Sequence, residues 1–161
     1  SIYLIISISL LKDVISAYVY DTKNGGGKAF LKAVHGKHDI YIDDARLETG
    51  GTNMFSVNGH QPTVYWNPEF GIITSTGGRQ SPATILDHEL DHAVDDVMNP
   101  NLHNQRENRI DSKFENLEER RVILGSETIT AIRNGEAPRK DHKGIPFRVS
   151  NPTSIKPYKI K

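Results

Sequence analysis

The chain has 161 residues, 36% of them hydrophobic, which suffices for one core and not for two ordinary domains. Lys and Arg number 20, as do Asp and Glu, so no overall field draws the chain to nucleic acid or an anionic membrane. Cysteine is absent, which excludes disulfides, thiolate metal sites and cysteine-based nucleophilic catalysis.

Ser1–Leu11 is apolar but lacks a basic flank, and it reaches Lys12-Asp13 well short of the roughly 20 residues of a membrane span, so no stable membrane insertion is expected. Its β-branched and aromatic residues, Ile2, Tyr3, Ile5, Ile6 and Ile8, predict a buried strand that Val14–Tyr20 continues after a break. A start at Ser1 rather than Met is what a fragment released from something larger would show. Asn24-Gly25-Gly26-Gly27 is a flexible break, with a short helix over Ala29–Val34 behind it. Asp39–Asp43 alternates as a strand does. Met54–Val57 and Thr63–Trp66, around a turn at Asn58-Gly59, read as a β-hairpin.

The next element carries the chemistry. Ser81 offers an N-cap and Pro82 a first helical residue, and Ile85, Leu86, Leu90, Ala93, Val94 and Val97 form an apolar stripe at helical spacing. Asn99-Pro100 ends it, so a helix is predicted over 82–98. At its centre stands His88-Glu89-Leu90-Asp91-His92, an H-E-x-x-H pattern. Residues four apart share a helix face, so both imidazoles reach one metal ion, and Glu89 projects beside that ion as a general base for a water molecule. The competing reading is a surface helix whose two histidines sit among Asp87, Asp91, Asp95 and Asp96.

A catalytic zinc needs a third protein ligand. Asn116–Gly125 reads as the start of a second helix, in which Glu118 and Glu119 point about 100° apart, so one ligates and the other supports. Taken alone, a Glu-Glu-Arg-Arg run is a solvated helix face. His35, His38, His60 and His103 have no partner at useful spacing and read as surface residues. Residues 1–149 are assigned to one domain. Residues 150–161, with Pro152, Pro157 and scattered lysines, are assigned to a mobile tail.

The series His88-Glu89-Leu90-Asp91-His92, Glu118-Glu119-Arg120-Arg121 with Gly125, and Gly135-Glu136-Ala137-Pro138-Arg139 resembles the NleD-like secreted effector zinc proteases of bacteria, whose domains also form toxic tips of type VI secretion proteins. The Glu-Glu-x-Arg element is similar to one in the clostridial neurotoxin light chains. The resemblance covers roughly residues 60–145 and leaves the first 35 unmatched. It implies Glu119 as the third zinc ligand, Glu118 as a support for a histidine, and Arg139 beside the scissile carbonyl. Where the neurotoxins carry tyrosine three residues on, this chain has His142, which can still donate to an oxyanion.

Together these readings predict an α+β fold: a single zincin-like metalloprotease domain with a small mixed or antiparallel sheet packed on two zinc-carrying helices. The expected activity is endopeptidase hydrolysis, with Glu89 as base and Arg139 and His142 at the oxyanion. The expected setting is an effector secreted into a host cytoplasm or rival-cell periplasm, with a protein or peptide substrate, a possible secretion-system carrier and no nucleic acid. Thr63–Trp66 is placed to hold substrate as an added strand, or else is an internal hairpin strand with Trp66 in the core. A zinc hydrolase of peptidoglycan peptides and an inactive zinc-stabilised binding module are the alternatives.

Overall fold

A computed structural model of the chain describes residues 1–4 and 8–159. The first half runs β1 (Ile2–Leu4), α1 (Ile8–Lys23), α2 (Lys28–His35), β2 (Ile40–Asp44), α3 (Ala45–Glu48), β3 (Met54–Asn58), β4 (Gln61–Trp66), β5 (Phe70–Thr74) and β6 (Arg79–Gln80). The second runs α4 (Pro82–Met98), α5 (Pro100–Glu107), β7 (Ile110–Asp111), β8 (Glu115–Asn116), α6 (Leu117–Val122), a π turn (Ile123–Glu127), α7 (Thr128–Arg133) and β9 (Gly144–Arg148). One sheet is mixed, in the order β1-β2-β4-β3, with β1, β2 and β4 parallel and β3 antiparallel to β4. A second, β6-β5-β9, is antiparallel, and β7-β8 is a small ribbon. This is the α+β class expected, with helices packed on small sheets.

Several expectations change in space. Val14–Tyr20 is helical within α1, because Leu10, Val14, Ala17 and Asp21 recur at helical spacing and are the residues buried. That period outweighs the β-branched composition. Ile8 already belongs to α1, and the strand reading of Ile5 and Ile6 falls outside the described residues. The hairpin forms, but Asn58 pairs with Gln61, so its loop is Gly59-His60, with Gly59 at φ +67°. β4 lies between β2 and β3, and Trp66 is fully buried, so Thr63–Trp66 cannot offer a free edge; the outer strands are β1 and, next to β4, β3. In the described part of the last segment, Ala83 N donates to Pro152 O at 2.9 Å, and Tyr158 N donates to Arg148 O at 2.7 Å.

α4 begins as the sequence predicts, with Ser81 Oγ accepting from Thr84 N and proline in the first turn. It is not a surface helix. Every residue from Pro82 to Val94 is buried, with His88 at 3% exposure and His92 at 5%, which removes the reading of two solvent-facing histidines. Trp66 Nε1 donates to Pro82 O at 2.9 Å and ties the start of α4 to the mixed sheet. Asp87, fully buried, joins three helices: its Oδ1 accepts from Phe30 N at 2.9 Å, and its Oδ2 accepts from Thr130 Oγ1 at 2.8 Å. Phe30 sits in the first turn of α2, whose N-cap is Gly27 and has no side chain, so a carboxylate from α4 satisfies an N–H that local sequence leaves orphaned.

Trp66→Ala should lower stability by about 3–5 kcal/mol through the cavity it leaves, and Trp66→Phe by a smaller amount, about 1–3 kcal/mol, for the orphaned Pro82 carbonyl. Urea unfolding followed by far-UV circular dichroism reads both, and equal losses would contradict the hydrogen bond's role. Burial pushes Asp87 up to about 6 despite the two hydrogen bonds it accepts. Its folded value lies above its unfolded one, so its stabilising contribution is complete below about pH 4 and is lost as pH rises through 6. The stability difference between the parent and Asp87→Asn should follow that fall; a difference independent of pH would contradict it.

Candidate metal centre

The site lies on one face of α4 and is completed by the α6–π turn–α7 segment. Asn116 starts that segment by accepting Glu119 N at 2.9 Å, which sets the direction of the glutamate pair. Glu118 and Glu127 are nine residues apart, and a straight helix at about 100° per residue would send them to opposite faces. The π turn, with Gly125 at φ −100° and ψ −107°, breaks that regularity, and both carboxylates meet α4.

His88 Nε2 and His92 Nε2 approach to 3.1 Å. Glu119 spans them, with Oε2 at 3.3 Å from His88 Nε2 and Oε1 at 3.2 Å from His92 Nε2. Behind the rings, His88 Nδ1 meets Glu127 Oε2 at 2.7 Å and His92 Nδ1 meets Glu118 Oε1 at 3.2 Å. Each imidazole is thus held from behind by one carboxylate, with Nε2 turned toward Glu119. Glu89 also has a carboxylate oxygen within 4.8 Å of the two rings. Glu119 lies 3.3 and 3.2 Å from the two Nε2 atoms, and Glu89 belongs to the same buried group.

The surrounding carboxylates favour positive charge at this centre. Burial opposes charge on His88, but Glu119 and Glu127 outweigh it and push the ring up to about 9. Burial opposes charge on His92 as well, and Glu118 and Glu119 push it up to about 10. Glu119 Oε2 is buried and accepts no hydrogen bond of good geometry, with His88 Nε2 at 3.3 Å and His142 Nε2 at 3.4 Å as its neighbours. Tetrahedral zinc with Zn–N of about 2.0–2.1 Å spaces its ligand atoms roughly 3.3 Å apart. The separations of 3.1, 3.2 and 3.3 Å here fit that ion.

The supporting carboxylates are themselves neutralised. Arg139 Nε donates to Glu127 Oε1 at 2.8 Å and Nη2 to Glu127 Oε2, so the guanidinium grips Glu127 as a fork, while Nη2 also lies 3.1 Å from His88 Nδ1. Burial alone would raise Glu118, yet His103, His92, Arg121 and Arg106 together hold it far below the usual carboxylate range. His103, expected on the surface, is buried, with Nδ1 at 3.2 Å from Asp95 Oδ2 and 3.3 Å from Glu118 Oε1. Asp95, His103 and Glu118 also form a group of metal-ligand type, but Arg106 already pairs with both carboxylates there.

A cleft of about 710 Å³ opens over this centre, lined by His88, Glu89, His92, Glu119, Arg139 and His142 and walled by Met54 and Phe55 of β3 and Pro146 of β9. His142 is 39% exposed, with Nε2 at 3.4 Å from Glu119 Oε2 and Nδ1 at 2.9 Å from Glu115 Oε2. All six residues singled out from the sequence therefore meet in one cleft. Glu127 was not singled out, since its spacing from Glu118 predicts the wrong helix face. In metal-free protein Glu127→Ala should lower stability by about 3–5 kcal/mol, because it strands the buried Arg139 charge. In urea melts, Glu127→Ala/Arg139→Ala should lose much less than the two single changes added together; simple additivity would refute the fork.

No curated protein and no solved structure matches the chain. Among the described residues, no helix is long and apolar enough to cross a membrane. The family model Peptidase_M91, described as effector protein, matches residues 20–147, a span that runs from α1 to β9 and contains every residue of the cleft centre. The chain belongs to this family of NleD-like effector metalloproteases.

Proposed function

We propose that the chain is a zinc-dependent endopeptidase that acts as an effector inside a target cell, with His88, His92 and Glu119 as the zinc ligands. The observation that carries this reading is the triangle of His88 Nε2, His92 Nε2 and the Glu119 carboxylate at 3.1–3.3 Å, open toward the cleft. When bound, zinc would supply a Lewis acid for a water molecule and for the scissile carbonyl.

The chain's own residues do the rest. Glu89, beside the histidines and raised by burial, accepts the proton of the attacking water at its carboxylate and returns it to the leaving amine. His142 Nε2 faces the cleft near Glu119 and donates to the oxyanion. Arg139 keeps its positive charge in the cleft wall, but its Nε and Nη2 are engaged by Glu127, so it acts through the field and through His88. The free outer edge of β3, rather than β4, is where a peptide main chain would add to the sheet.

His92→Ala and Glu119→Ala should each lower zinc stoichiometry well below one and abolish turnover. Glu118→Ala should keep zinc at roughly 10–100-fold weaker affinity. Glu89→Gln should hold one zinc and lose about 10²–10⁴ in kcat. Elemental analysis and kinetics measure these, and full zinc in Glu119→Ala would sink the ligand assignment. Mapping new protein N-termini in cells expressing the chain, against Glu89→Gln, identifies substrates. Release of peptides from purified cell wall but not from proteins would favour the peptidoglycan alternative, and identical maps would favour the inactive binding module.

A further inference from the structure

The ribbon β7-β8 turns through Ser112, Lys113 and Phe114 and closes on Glu115 at φ +74°, the only non-glycine residue with positive φ among the described residues. The turn is tight because Asp111 Oδ1 accepts from Lys113 N at 2.9 Å and from Phe114 N at 3.0 Å. A three-residue hairpin loop commonly closes on a left-handed residue, and glycine occupies that place without strain. A glutamate there adds backbone strain, of a kind that clusters at functional sites.

The Glu115 side chain meets His142, with Oε2 at 2.9 Å from Nδ1. With the glutamate side chain 65% and the histidine side chain 39% exposed, this contact adds little to stability and does not offset the strain. It does fix a direction. His142 N donates to Lys113 O at 3.1 Å, so the same loop holds the main chain and the ring of His142. A flip of the imidazole would exchange Nδ1 with Cδ2 and Nε2 with Cε1, and a carboxylate beside Nδ1 favours the orientation in which Nε2 faces Glu119 at 3.4 Å.

We propose that Glu115 is a positioning residue for His142, holding Nδ1 from behind so that Nε2 points at the place where the oxyanion develops. This rests on the reading of His142 as the oxyanion donor.

The test uses the zinc-loaded chain and the best substrate from a quenched-fluorescent peptide library. Glu115→Gly should leave Tm unchanged or raised, because glycine relieves the strain, while kcat falls about tenfold or more and KM stays within about twofold. Glu115→Gln keeps an acceptor oxygen and should recover most of kcat. In a His142→Ala background, Glu115→Gly should cost nothing further. A slow His142→Ala beside a Glu115→Gly of parental kcat would overturn the positioning role and leave the donor reading standing. A parental rate in His142→Ala would overturn the donor reading and the proposal with it. Equal losses of kcat and Tm from Glu115→Gly in both backgrounds would assign Glu115 to structure alone and also overturn it.

Discussion

Two imidazole nitrogens 3.1 Å apart on a buried helix are the constraint on which the rest of the site depends. Such a pair is tolerable in a low-dielectric interior only when negative charge surrounds it, and here three carboxylates do so: Glu119 in front, and Glu118 and Glu127 behind. Those carboxylates in turn require cations, and Arg106, Arg121 and Arg139 answer them. The arrangement alternates in sign outward from the histidines, and its centre faces the cleft with an orphan carboxylate oxygen.

The fold exists, in these terms, to hold α4 still. Trp66 fastens its first turn to the mixed sheet, Asp87 ties its middle to α2 and α7, and the loop between α7 and β9 brings Arg139 and His142 back to the cleft. These ties use buried hydrogen bonds whose loss leaves a partner unsatisfied, so each is more consequential than its net strength suggests. The segments nearest the reacting centre are the irregular ones. The π turn at Ile123–Glu127 and the positive φ of Glu115 each place a carboxylate that regular structure would aim elsewhere.

Much of this was legible in the amino-acid order. The helix over 82–98 with its Ser81 cap, the hairpin before it and the histidines four apart follow from periods and caps that act within a few residues. The choice of Glu119 over Glu118 rested on resemblance, and the structure places Glu119 across both Nε2 atoms with Glu118 behind His92. The helical state of Val14–Tyr20 was present in the spacing of Leu10, Val14 and Ala17 but was masked by β-branched composition.

By itself the sequence determined where α4 begins and ends and that its two histidines share one face, because those depend on contacts within a turn or two of chain. Tertiary structure alone decided that β4 is internal and β3 is an edge, that His103 is buried, that Asp87 caps α2, and that Glu127 and Glu115 reach the histidines. The physical reason is the same in each case. Strand order, the angle at a helix break and the partner of a buried charge are set by packing between segments tens of residues apart, and no local periodicity encodes them.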